Sequence, residues 1–322
     1  MRDRLRAWNE RSTRWAEANP VRWWLVLFLV VAGVYAATGV GLSSVSSSPR
    51  CTRSPDESSG PAGEQWDEST HRQQTFSPTP GRRRMDPEHD AYGKLLRDYV
   101  DGEAGREILE RDDGLVSVAP PPELYFAERD EWSPRERTAI ERAEGRVLDV
   151  GCGAGRVGRA LDTEVIGIDV SPGAVAVSRE RGVDARKLDV VEAAQLDGEF
   201  DTVVMFGNTF GLVGTRERAP RVLDALAQVT TDDARILADT RDPHATDESV
   251  HRAYHDLNRR RGRLPGALRV RSRYETTATP WFDLLMVSPD EMREVLEPSP
   301  WELREVVASN ERGNYVAELR KS

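Results

Sequence analysis

The chain has 322 residues, a net charge of -10 and a pI near 5.2, enough for one sizeable domain with additions. Residues 1–84 carry a net +4 and residues 85–322 a net -14, so the larger part disfavours non-specific nucleic-acid binding. The two cysteines, Cys51 and Cys152, are far apart, which excludes a disulfide framework or a cysteine-based metal centre.

Of the 45 basic residues only Lys94, Lys187 and Lys321 are lysines. Acidic excess with so little Lys fits a halophilic protein made in a salt-rich cytoplasm, and equally a genome whose codons favour Arg. Residues 1–22 form an Arg-rich tail. Residues 23–42, "WWLVLFLVVAGVYAATGVGL", carry no charge and are long enough for a transmembrane helix, with two Trp at the interface end. A signal peptide is the second reading. Residues 43–84 are rich in Ser, Pro and Gly, with 18 of 42 positions, and read as a disordered linker. Six Arg before the apolar segment place the N-terminus in the cytoplasm by charge bias. The larger part that follows, expected in the cytoplasm, would then lie outside. As written the chain is a single-pass membrane protein with a lipid bilayer as partner through 23–42. If translation starts at Met85 it is soluble and cytoplasmic.

From Met85 onward the pattern is that of a folded domain. Tyr92, Leu95, Leu96 and Tyr99 fall at helical intervals, and 85–132 reads as a helical lead-in or cover. "SPRE" at Ser133 and "SPDE" at Ser288 are capping boxes with Pro at the first helical position, and "SPGA" at Ser171 has the cap and the Pro. "RVLDV", "EVIGID", "DARKLD", "FDTVVMF" and "ARILADT" are strand-type runs, and helical stretches separate most of them. That alternation implies a parallel sheet with helices on both faces. "ALRVRSRYETT" and "WFDLLMV" read as a hairpin inserted after the fifth strand, and "WELREVVAS" and "YVAELR" as a closing antiparallel pair.

"VLDVGCGAGRVG" contains two overlapping glycine patterns. One fits a dinucleotide loop, the other a loop holding S-adenosylmethionine, and glycine alone decides neither. Asp149 precedes the loop. It would repel a pyrophosphate and attract an ammonium. Asp169 ends the next strand and can accept from a ribose diol in either case. Asp189 ends the third and can accept from an adenine amine. "VLDVGCGAG", "VIGIDVSPGAV", "KLDV" and "FDTVVMFGNTFG" in this order resemble the motif set of class I S-adenosylmethionine-dependent methyltransferases, over roughly 133–322. The resemblance implies an α/β Rossmann-like fold. Its mostly parallel sheet has seven strands in the order 3-2-1-4-5-7-6, with strand seven antiparallel. It implies that Asp149, Gly151, Gly153 and Gly155 hold the methionine moiety of S-adenosyl-L-methionine. Asp169 would hold the ribose, Asp189 and the Val190 backbone the adenine, and Phe206 and Gly207 would line the crevice near the sulfonium.

Methyl transfer needs alignment more than a base, and no catalytic triad stands out. Asn208, His251, His255 and Tyr125 are the catalytic candidates. "GNTF" at Gly207 departs from the Asn/Asp-Pro-Pro-aromatic motif of base-amine methyltransferases, which disfavours that substrate. Tyr125, Phe126, Trp281 and Phe282 could cap a pocket or simply pack. His251 and His255 share a helical face but lack a third metal ligand, so no metal site is assigned, and the solvent-facing reading is preferred. Seven Arg between Asn258 and Arg273 could grip RNA phosphates, but a solvated hairpin paired with acids is favoured. The leading reading is a methyltransferase with a small-molecule acceptor. A nucleic-acid methyltransferase is the alternative. A non-catalytic cofactor-binding or membrane-tethered module is a third reading, and a dinucleotide oxidoreductase a distant fourth.

Overall fold

The computed structural model describes residues 85–322. The tail, the apolar segment 23–42 and the linker lie outside the described residues. Among the described residues no helix is long and apolar enough to cross a membrane.

The first elements are helix α1 (Ala91–Asp101), strands β1 (Ile108–Arg111) and β2 (Val116–Val118), and helices α2 (Glu123–Phe126) and α3 (Pro134–Ile140). The core alternates β3 (Val147–Val150), α4 (Arg156–Ala160), β4 (Val165–Asp169), α5 (Pro172–Glu180), β5 (Asp184–Lys187), β6 (Phe200–Met205), α6 (Ala219–Ala227) and β7 (Thr230–Arg241). Then come α7 (Ser249–Arg260), β8 (Ala267–Tyr274), β9 (Thr277–Ala278), β10 (Phe282–Leu285), α8 (Pro289–Leu296), β11 (Trp301–Ser309) and β12 (Asn314–Lys321).

The large sheet runs β11-β12-β7-β6-β3-β4-β5. Numbered along the chain within this sheet, the order reads 3-2-1-4-5-7-6. The five strands from β7 to β5 are parallel, and β12 is antiparallel to both its neighbours. The capping boxes form as read: Ser133 and Ser288 each accept from the backbone N–H three residues on, and the Glu there returns the bond.

Alternation along the strands splits the core into two layers. Leu148, Val203, Met205, Ile236, Ala238, Tyr315, Ala317 and Leu319 face one layer, which α6 and α8 cover with Val222, Leu223, Leu226, Met292 and Val295. Val147, Val204, Phe206, Leu237 and Val316 face the other, covered by Ala139 and Ile140 of α3, Val157 of α4, and Trp132. Asp149 has the parity of Val147, and Asp239 that of Leu237, so both carboxylates enter this second layer.

A second, antiparallel sheet runs β10-β8-β1-β2, with β9 on β8. Its β8 and β10 are the inserted hairpin read from the sequence. Its β1 and β2 correct the helical reading of 85–132. "ILERDDGLVSV" folds back on itself at a turn containing Gly114, whose φ is +91°. The pair is stable because β1 adds to β8, opposite Val270 to Arg273. That partner lies in a distant part of the sequence.

Candidate functional site

The glycine loop leaves the end of β3 and enters α4. Gly151 (φ +73°) donates to the Ile168 carbonyl at 2.8 Å, stitching the loop to β4. Gly153 (φ +52°) lies under the hydroxyl of Tyr92, which would be 2.6 Å from an added Cβ. Gly155 (φ +77°) is the N-terminal cap of α4.

Asp149 is 3% exposed, and its Oδ2 has no hydrogen-bond partner. Burial pushes its carboxyl up to about 7, against the pull of Arg156. Arg156 is held in turn by an ion pair with Glu136 and by the face of Trp132, 4.9 Å away. Asp169 is also pushed up by burial, to about 6. Its Oδ2 accepts from Gly153 N at 3.1 Å and its Oδ1 from Ser171 N at 2.9 Å. It therefore fixes the loop relative to β4 and keeps lone pairs for a further donor. Asp189 is half-buried. Its Oδ1 accepts from Val191 N at 3.1 Å and from Arg218 Nη2 at 2.8 Å. Val190 beside it is buried.

Phe206 and Gly207 separate. The Phe206 ring packs edge-on against Trp132, with centroids 6.1 Å apart, inside the second core layer. Its side chain packs into that core layer beside Val204. Gly207 has open space at its Cα, with an Arg156 guanidinium nitrogen 3.8 Å from an added Cβ. Asn208 takes φ +63° and caps the 3-10 turn Thr209–Val213. Asn208 Oδ1 and Thr209 Oγ1 are buried without partners, and Thr209 lies against Gly151. Asp149 Oδ2, Asn208 Oδ1 and Thr209 Oγ1 are thus buried polar oxygens with lone pairs open to the N–H and O–H groups of a ligand.

Three carboxylates of this site, Asp239, Asp90 and Glu107, escaped the sequence reading. Asp239, fully buried on β7, accepts from Gly207 N (2.9 Å) and Asn208 N (3.1 Å) and pairs with Arg135 at 3.2 Å. Asp90 caps α1 through Gly93 N and accepts from Ser171 Oγ and Gly173 N, each at 2.8 Å. It docks α1, and so Tyr92, onto the end of β4. Tyr125 stacks edge-on with Tyr92, centroids 5.2 Å apart, and donates to the buried Glu107 at 3.2 Å.

Phe126 joins Tyr92 and Tyr125 in the cluster that includes Ala154 of the loop, and packs on Tyr99 with centroids 4.4 Å apart. The remaining candidates lie elsewhere. Trp281 is exposed with Arg271 over its ring, and Phe282 is half-buried. His255 is buried, which pushes its pKa down, and His251 lies 3.0 Å from Arg111 and 3.4 Å from Glu248. The solvent-facing reading is therefore corrected for His255, which α7 turns into the protein, while His251 stays about a third exposed. Among the described residues no third metal ligand joins them. Arg271 and Arg273 pair with Glu110 at 2.6 Å each, Arg269 with Asp283 at 3.7 Å, and Arg261 with Asp112 at 3.2 Å.

A family model described as a methyltransferase domain matches residues 147–233, the stretch from β3 into β7. No curated protein matches the chain. Among solved structures, a methyltransferase from Bacteroides fragilis, in complex with S-adenosyl-L-homocysteine, is 26% identical. The match covers 74% of this chain and 99% of that one, with a TM-score of 0.63. The CcbJ methyltransferase from Streptomyces caelestis is 15% identical, covers 73% of this chain and 99% of its own, and has a TM-score of 0.48; that likeness bears on neither acceptor nor mechanism. The matched stretch, the glycine loop and the acids at the strand ends place this chain among the class I S-adenosylmethionine-dependent methyltransferases.

Proposed function

We propose that this enzyme methylates a small-molecule acceptor held between the large sheet and the second sheet. In this reading Asp149, Gly151, Gly153 and Gly155 hold the methionine moiety. Asp169 takes the ribose diol, and Asp189 with the Val190 backbone takes the adenine. The observation that carries it is Asp149 Oδ2, buried without a partner at the end of β3. A buried carboxylate oxygen left unpaired is costly, and an ammonium placed there removes the cost. A dinucleotide phosphate at the same place would add to it.

When bound, the cofactor supplies a methyl group on an already positive sulfur. The chain then has to align an acceptor with that methyl and keep water away. Gly207 and Asn208, fixed by Asp239, supply one wall of such a site. Tyr92 and Tyr125 supply another from the lead-in. The ion pairs of Arg261, Arg269, Arg271 and Arg273 weigh against the nucleic-acid alternative, because those guanidinium groups already have acidic partners.

Calorimetric titration of the chain in molar KCl, with S-adenosyl-L-homocysteine and separately with NADH, tests the reading. Binding of the first alone is expected. Binding of NADH alone would overturn it.

A further inference from the structure

Glu107 is 4% exposed, yet no cation pairs with it among the described residues. Its two oxygens accept from Ser272 Oγ at 2.5 Å and from Tyr125 Oη at 3.2 Å. Burial pushes its carboxyl up, and the two hydroxyls oppose that shift. A carboxylate buried without a counter-charge destabilises a fold. Such a group has the marks of a functional residue.

Its location supports this. Glu107 lies just before β1, and Ser272 is on the neighbouring β8, on the buried face of the second sheet together with Val270 and Tyr274. The other face carries Glu110, Arg271 and Arg273 in mutual ion pairs. Tyr125 bridges inward. Its ring stacks on Tyr92, whose hydroxyl covers Gly153 of the loop. Burial, more than any neighbouring charge, pushes both tyrosine hydroxyls up. The contacts from Glu107 through Tyr125 and Tyr92 to Gly153 join the buried carboxylate to the glycine loop.

We infer that Glu107, with Tyr125, forms the polar end of the acceptor pocket and holds the N–H or O–H of a protic acceptor, an amine or an alcohol. This rests on the cofactor reading above. Glu107 takes the proton that the acceptor nitrogen or oxygen loses as it bonds the methyl carbon. The electron pair of the broken carbon–sulfur bond stays on sulfur, and the proton passes from Glu107 to solvent. A thiolate or carboxylate acceptor has no proton to give and would be repelled by this carboxylate.

The test needs no acceptor. Sinefungin is a cofactor analogue that carries a protonated amine where the sulfonium methyl stands, so it reports on a carboxylate facing that position. Its affinity and that of S-adenosyl-L-homocysteine are measured by calorimetry on the full chain at pH 8. Variants are Glu107→Gln, Tyr125→Phe and Ser272→Ala. Glu107→Gln should weaken sinefungin about ten-fold or more while leaving S-adenosyl-L-homocysteine within about two-fold. Tyr125→Phe should show a smaller change of the same kind. Ser272→Ala keeps the charge and should keep the ratio of the two affinities near the wild-type value. An unchanged ratio in Glu107→Gln overturns the assignment and leaves the cofactor reading intact. Equal losses of both ligands in Glu107→Gln and Ser272→Ala also overturn it, since Glu107 would then be structural. Failure of the unmodified chain to bind S-adenosyl-L-homocysteine strikes the cofactor reading instead.

Discussion

Replacing Asp149 by Asn should make the ligand-free protein more stable and cost it its ligand. Burial raises this carboxyl from 3.8 to about 7, about 3 pH units or about 4 kcal/mol between its two protonation states. The unfolded chain ionises the group near pH 4, while the fold keeps it protonated up to about pH 7. Between those values the unfolded state binds fewer protons than the folded one, so stability falls as pH rises, and levels off above pH 7. Asn cannot ionise. The variant should match the parent near pH 3.5 and exceed it by up to about 4 kcal/mol at pH 8. Urea melts at half-unit pH steps measure this. Calorimetry in two buffers of different ionisation enthalpy should show the parent releasing up to about one proton on binding S-adenosyl-L-homocysteine at pH 6, because an ammonium returns the carboxyl to its charged form. The variant should lose that proton and most of the affinity. Equal pH slopes for the two proteins, or an unchanged affinity, would refute the reasoning that this oxygen is kept unpaired for a cation.

Three further outcomes are expected. Gly153→Ala forces a Cβ into left-handed backbone against the Tyr92 hydroxyl; it should cost about 1–3 kcal/mol in thermal melts and weaken S-adenosyl-L-homocysteine. Adding Tyr92→Phe should restore part of both, and a double-mutant cycle with no coupling would show that the close approach is absent. Asp239→Asn leaves Arg135 without its partner; it should destabilise by about 2–3 kcal/mol, less than a fully dry pair because Arg135 is 16% exposed. Exchange protection of the Gly207 and Asn208 amides should fall with it. Changing Arg269, Arg271 and Arg273 together to Gln should leave the thermal midpoint almost unchanged, because exposed pairs contribute little. It should also leave RNA retention, measured by anisotropy across a salt series, as weak as in the parent; a loss of salt-dependent binding would revive the nucleic-acid alternative.

What the sequence disclosed divides by distance along the chain. The caps at Ser133, Ser171 and Ser288 act over three residues, and the glycine loop with Asp149 over six. Such signals are complete within one short window. Asp90 and Glu107 were invisible because what gives them meaning is remote: Asp90 meets Ser171 across 81 positions, and Glu107 meets Ser272 across 165. A lone Glu before a short strand reads as surface charge until the second sheet closes over it. The strands β1 and β2 escaped for the same reason, since their stabilising partner β8 begins at Ala267.

Phe206 is the instructive case, because half of its placement was readable. The side-chain period of a strand is two, so Phe206, the residue that follows β6, continues the face of Val204, as Asp149 shares that of Val147 on β3. Register then decides whether those faces coincide. Asp149 pairs with Val204 across the ladder, so Asp149, Val204 and Phe206 point into one layer. Periodicity could not say what fills it. Trp132, fifteen residues before β3, does so and turns Phe206 into core. Trp132 in turn supports the Arg156 guanidinium that opposes the upward shift of Asp149. Phe206 therefore serves the site by packing the ring on which Arg156 rests. Phe206→Ala should accordingly cost about 3–5 kcal/mol as a core cavity. It should also raise the pH at which Asp149 ionises, read as a later proton release on binding S-adenosyl-L-homocysteine. If the variant loses stability but leaves that proton release where it was, Arg156 is held by Glu136 alone, and the link from Phe206 through Trp132 to Asp149 fails.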